Sequence, residues 1–110
     1  MQYTQVKVTA QCPIRTTLEL IGGKWRLIIL FQLQHGAMRL SELSRAIPDI
    51  SEKMLVQELK FLQDSNLVQR HNHGEVPPKV TYTITSKGLA AMPLIKEMSN
   101  FAKVYVSKGK

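Results

Sequence analysis

The clearest pattern of apolar and polar positions lies in residues 50–68, ISEKMLVQELKFLQDSNLV. Wound at roughly 100° per residue, Leu55, Leu59 and Leu62 gather on one side, while Lys53, Gln57, Lys60 and Asp64 fall within a sector of roughly 60° on the other. This period predicts an amphipathic helix. Ser51 suits its N-cap, and Asn66 is the residue other than glycine that best tolerates a left-handed position at its end. Just upstream, Leu40, Leu43 and Ile47 repeat at helical spacing in LSELSRAI until Pro48 forbids continuation. Two helices joined by the tight turn PDI are therefore predicted.

The flanking segments follow the same logic. PIRTTLELI places Ile14, Leu18 and Ile21 on one stripe and opens on Pro13, which a first helical turn accepts; Gly22 and Gly23 end it. KWRLIILFQLQ, 24–34, is apolar almost all round, which predicts a central helix covered on most sides and stopped by Gly36. Beyond residue 67 the period changes from 3.6 to 2, and Val80, Tyr82 and Ile84 alternate with Thr81, Thr83 and Thr85. That alternation predicts a β-hairpin with a stiff tip at HGEVPP. In the last segment, 86–106, Ala91, Leu94, Met98, Phe101 and Tyr105 form a short heptad-like seam that wants a partner helix. Pro93 interrupts the segment and predicts either a kink or a short first helix that restarts near Met92.

Composition narrows the classes. With 110 residues, 44% of them hydrophobic, the chain suits one domain, expected over 12–106 between an N-terminal arm, 1–11, and a flexible tail, 107–110. Lys and Arg number 15 against 8 Asp and Glu, and the net charge of +7 favours a polyanionic partner. The longest apolar run, LIILF, is far too short to span a membrane, so no membrane partner is expected. The start of the sequence has no charged-then-apolar signal pattern, and Cys12 is the sole cysteine, so the default expectation is a cytoplasmic location without an internal disulfide. No carboxylate pair, glycine-rich phosphate loop or HExxH pattern accompanies Cys12, which argues against an enzyme. His71 and His73 without Cys or carboxylate partners at ligand spacing fall short of a metal site, and no cofactor is called for.

Helix, helix, helix-turn-helix, hairpin, helix is the order of a winged helix-turn-helix domain, whose second turn helix enters the DNA major groove. The fold class expected is α+β: a mostly α winged helix-turn-helix domain with a β-hairpin wing and a C-terminal dimerisation helix. The segments CPIRTTLELIGGKWRLIIL, LSELSRAIPDISEKMLVQELKFLQ and EVPPKVTYTITSKG resemble, in order, the signatures of HxlR-type winged-helix transcription regulators, relatives of the MarR group. The resemblance spans about residues 12–105 and is most specific at Cys12-Pro13, Gly22-Gly23-Lys24-Trp25, the Ile47-Pro48 to Ser51 turn, and Val76-Pro77-Pro78-Lys79-Val80 with Tyr82. It implies a homodimeric bacterial repressor or activator with dimer contacts from the first and last helices, placing Ile14, Leu18, Ala91, Leu94, Met98, Phe101 and Tyr105 at that interface. Asp49, in the turn, departs from the small or amide residues common among relatives.

On this reading Lys53 and Gln57 read base edges, since glutamine pairs bidentately with adenine. Ser51 and Lys60 hold phosphates, helped by Arg39 and Ser41 at the start of the preceding helix, whose free N–H groups form an anion site. His73 and Lys79 place the wing against the backbone or adjacent minor groove. A two-fold dimer then requires a pseudo-palindromic double-stranded operator with half-sites about 34 Å apart. Set against this is the plain alternative that the polar stripe is only a solvated face.

Some regulators resembling this one sense electrophiles or oxidants through a cysteine in the place of Cys12. A thiol just before a helix, with Arg15 nearby, sits where its reactive anionic form is favoured; the competing reading is a buried, inert small hydrophobe. Control by a small ligand in an apolar pocket lined by Trp25, Met92 and Phe101 is set against those residues being core. A different class of function is a protein-interaction module that keeps the winged scaffold without sequence-specific DNA binding.

Overall fold

In the computed structural model, which describes residues 12–107, the chain runs α1 (Pro13–Ile21), α2 (Arg26–Leu33), α3 (Leu40–Ala46), α4 (Glu52–Asp64), β1 (Val68–Asn72), β2 (Val80–Ile84), α5 (Ser86–Leu89) and α6 (Met92–Ser107). The arm expected over 1–11 and residues 108–110 of the expected tail lie outside the described residues. Ser107 belongs to α6 instead of the tail. This is the winged helix-turn-helix order the sequence predicts, with a two-stranded antiparallel hairpin.

Local chemistry sets the boundaries. Pro13 opens α1, where its missing N–H costs nothing. At the other end the Gly22 N–H donates to the Leu18 carbonyl at 2.9 Å, and a Cβ on Gly22 would stand 2.3 Å from that same oxygen. Only glycine fits there. The predicted left-handed end of α4 is present: Asn66 has φ 64°, its N–H donates to the Gln63 carbonyl, and the Leu67 N–H donates to the Leu62 carbonyl at 2.9 Å. These two bonds satisfy carbonyls the helix leaves open, and Leu62 and Leu67 both join the core. Of the two outcomes Pro93 allowed, the short first helix is the one formed, and α6 restarts at Met92.

The core gathers Ile29, Leu30 and Leu33 of α2, Leu43 of α3, Leu55, Leu59 and Leu62 of α4, and Val68 and Tyr82 of the hairpin. Strand register pairs Val68 with Ile84 and Asn72 with Val80, and Tyr82 makes a second bridge to Met38 through bonds of 2.8 and 3.0 Å. The hairpin is thus tied to the link between α2 and α3.

Two expectations are corrected. Ala91, placed on the dimer seam, is buried in the core, because it lies at the junction where α6 leaves the domain. α2 is covered on fewer sides than its composition suggests: Ile28 and Phe31 are exposed and, with Leu27, Ile95 and Met98, line an open apolar groove of about 240 Å³ against α6. Of the two readings of Trp25, Met92 and Phe101, the core holds for Trp25 and Met92, which pack on it, whereas Phe101 is 70% exposed further along α6, so the three line no common pocket. Among the described residues no helix is long and apolar enough to cross a membrane.

Candidate nucleic-acid interface

Helix α4 begins at Ser51, whose Oγ accepts the Met54 N–H at 3.1 Å and supplies the cap its sequence promised. Leu55, Leu59 and Leu62 are essentially inaccessible, so the rotation of the helix about its axis is set by the core. A second restraint acts from one flank. The Arg26 guanidinium donates through Nε to Glu58 Oε1 at 2.7 Å and through Nη1 to the Glu19 carbonyl at 3.2 Å, and its Cζ lies 3.6 Å from the centroid of the Phe61 ring. This arginine locks α1, α2 and α4 together. Sequence reasoning missed it, because its partner is 32 residues away and nothing local marks it.

Covering that flank shifts what α4 presents. The residues of α4 that are exposed are Glu52, Lys53, Val56 and Lys60. Gln57 is half-buried at the margin. Asp64, grouped with the polar sector from periodicity, has a side chain only 16% exposed, one oxygen 3.5 Å from Lys60 Nζ and the other buried without a hydrogen bond. The open face is therefore turned away from Gln57 and Asp64 toward Val56, which the periodicity argument passed over.

The remaining candidates divide. Arg39 and Ser41 are exposed at the start of α3, but the Arg39 N–H donates to Glu42 Oε1 at 2.8 Å, and Glu52 lines the same small cleft as Ser41 and Ser44. Protein carboxylates already stand where free N–H groups were expected to hold an anion. On the wing, His73 is exposed but held by one ring nitrogen: its Nε2 lies 2.9 Å from Thr81 Oγ1, as His71 Nε2 does from Thr83 Oγ1, because alternate residues of antiparallel strands share a face. Lys79 is half-buried where the tip loop joins β2, and its carbonyl accepts the His73 N–H. The tip carries Glu75 and a 97% exposed Val76.

Away from this face, Cys12 is exposed, so it is not the buried small hydrophobe of the competing reading. Its carbonyl accepts the Thr16 N–H and its side chain makes no cap hydrogen bond. On the same helix Ile14 and Leu18 are 73% and 62% exposed. Along α6 every residue from Lys96 to Val106 is exposed, including Met98, Phe101 and Tyr105, whose two rings stack with centroids 6.4 Å apart. Leu94 is also exposed.

The model of the HxlR-like helix-turn-helix family matches residues 20–110. Over 97 residues the chain is 41% identical to the uncharacterised HTH-type transcriptional regulator YkvN of Bacillus subtilis strain 168, a match covering 88% of this chain and 82% of YkvN. A structure from Porphyromonas gingivalis W83, described as a MarR-family transcriptional regulator, is similar with a TM-score of 0.79 at 42% identity, over 89% of this chain and 96% of that one. The reduced form of the transcriptional regulator YodB from B. subtilis is similar with a TM-score of 0.79 at 36% identity, over 91% and 99%. YodB is also known in diamide-treated and quinone-bound forms.

The Arg26 clamp is measurable. In a double-mutant cycle of Arg26→Ala and Glu58→Ala followed by urea unfolding, a coupling of about 1–3 kcal/mol is expected for a largely desolvated charged hydrogen bond. A coupling near zero would mean that α4 is oriented by its leucines alone.

Proposed function

Because the chain belongs to the HxlR-like helix-turn-helix family of transcriptional regulators, we propose that it binds double-stranded DNA in a sequence-specific way, as a homodimer on a pseudo-palindromic operator. The observation that carries this reading is the outer face of α4, where Lys53 and Lys60 stand exposed on a helix whose other side is fixed in the core. Such a helix offers fixed positive charge to phosphates and side chains to base edges. Lys53 and Gln57 are assigned to bases, and Ser51, Lys60, Arg39 and Ser41 to the backbone. Lys79 and His73 are the wing contacts, His73 with its Nε2 oriented by Thr81.

The dimer reading draws on α6. Isolated helices of 12–15 residues are marginal in water, yet residues 96–106 touch little else in the chain. A stripe of Leu94, Met98, Phe101 and Tyr105, continued by Ile14 and Leu18, suits a second copy and sets two reading helices about 34 Å apart. Cys12, exposed beside that stripe, is assigned as the site of control by an oxidant or electrophile, in keeping with the treated forms of YodB. With a single cysteine the products available are a sulfenic acid, a mixed disulfide, a thiol adduct, or a bridge between Cys12 of two chains.

Three measurements test this. In anisotropy titrations on the DNA upstream of the protein's own gene, Lys79→Ala should reduce the slope of log affinity against log salt by about one, while Gln57→Ala should lower discrimination against competitor DNA with little change in slope. A protein-interaction module would show no preference over competitor at all. Phe101→Glu should halve the mass seen by sedimentation and weaken operator binding about a hundredfold or more, as expected when the second half-site is lost. Diamide or a quinone should release the parent from DNA and leave Cys12→Ser bound; equal release of both proteins would remove Cys12 from the account.

A further inference from the structure

We propose that Val56 reads sequence, its methyl groups packing against the C5-methyl of one thymine in each half-site. The inference rests on the DNA-binding reading above and goes beyond it by naming a residue and the base group it recognises. Its basis is the open face of α4 as the tertiary structure leaves it. Val56 is 47% exposed and sits between Glu52 and Lys53, one turn before it, and Lys60, one turn after, so all three are its surface neighbours. Arg26 and Phe61 cover the flank nearer Gln57, which leaves Val56 close to the middle of what a duplex would meet.

A β-branched residue there contributes little to the fold. Valine is a poorer helix former than alanine or the long polar residues, and at 47% exposure it gains only part of what a core valine gains from burial. Its setting instead selects a ligand. Lys53 and Lys60 on either side, outnumbering the exposed Glu52, attract phosphates and draw the face into a groove, where an aliphatic side chain can neither donate nor accept a hydrogen bond. The apolar group that the major groove offers is the thymine methyl, and the first half of a reading helix is the part that reaches base edges. Val56 lies in that half.

The test uses duplexes that the full-length parent protein itself enriches from a random pool, resynthesised with deoxyuridine in place of each thymidine in turn. Uracil keeps every hydrogen-bonding group of thymine and lacks only the methyl. One position per half-site should weaken the parent about fourfold, the effect of one lost methyl contact, and Val56→Ala should bind both forms of that duplex equally. Circular dichroism should find Val56→Ala as helical as the parent. The proposal is overturned if the enriched sites are indifferent to every uracil, or if the sensitive position stays as sensitive in Val56→Ala. Enrichment of no sequence whatever would overturn the DNA-binding reading as well, and so separates the two failures.

Discussion

Everything on the outer surface of α4 follows from how its inner surface is held. Leu55, Leu59 and Leu62 are packed with Ile29, Leu30, Leu33 and Leu43 in a core that leaves them essentially no exposure. Protein interiors are packed as densely as organic crystals, so turning α4 by even one residue would drive a leucine out and a lysine in. The Arg26 guanidinium adds a lateral stop by bonding Glu58 and lying over Phe61. With both restraints in place, the choice of which polar residues meet solvent is made by the core and by one charged pair.

The wing is held to the same frame. Tyr82 is buried, and its backbone pairs both within the hairpin and with Met38, so the hairpin cannot move independently of the segment that leads into α3. A fixed helix beside a fixed hairpin is the arrangement a groove-reading domain requires, because orientation has to be in place before base edges can be compared. The tip is built differently: Glu75 and Val76 project where a purely electrostatic wing would place cations, leaving Lys79 at the edge of the tip and Arg70 on β1 to supply charge.

The chain separates two kinds of surface onto different elements. On α4 the exposed residues are mainly polar, with Lys53 and Lys60 among them, while large apolar residues stand exposed on α1 and along α6. Folding of one chain satisfies the first and leaves the second open. Cys12 lies at the start of α1, next to the apolar surface and not on the cationic one. In the reading proposed, chemistry at that thiol acts on DNA binding by altering how two copies are set against each other, since a helix start in a packed interface tolerates little added bulk.

The features legible in the sequence are those governed by neighbours along the chain. Gly22 and Gly23 ending α1, Pro48 breaking the turn, Ser51 capping α4, Asn66 closing it with positive φ, and the change to period 2 in the hairpin all express local sterics or local hydrogen bonds. The apolar stripe of α6 was equally visible, except that Ala91 at its head belongs to the core. What periodicity could not supply is which side of an amphipathic helix is left open. It treats every polar position as solvated, whereas Arg26, far from α4 in sequence, covers one flank over Glu58 and Phe61, Gln57 and Asp64 are partly buried, and Val56 is exposed. His73 turning to Thr81 and Glu42 closing the start of α3 are likewise partnerships chosen by three-dimensional proximity. The sequence alone determined the elements and the residues that stop them; the tertiary structure decided the faces, because burial depends on what arrives from elsewhere in the chain.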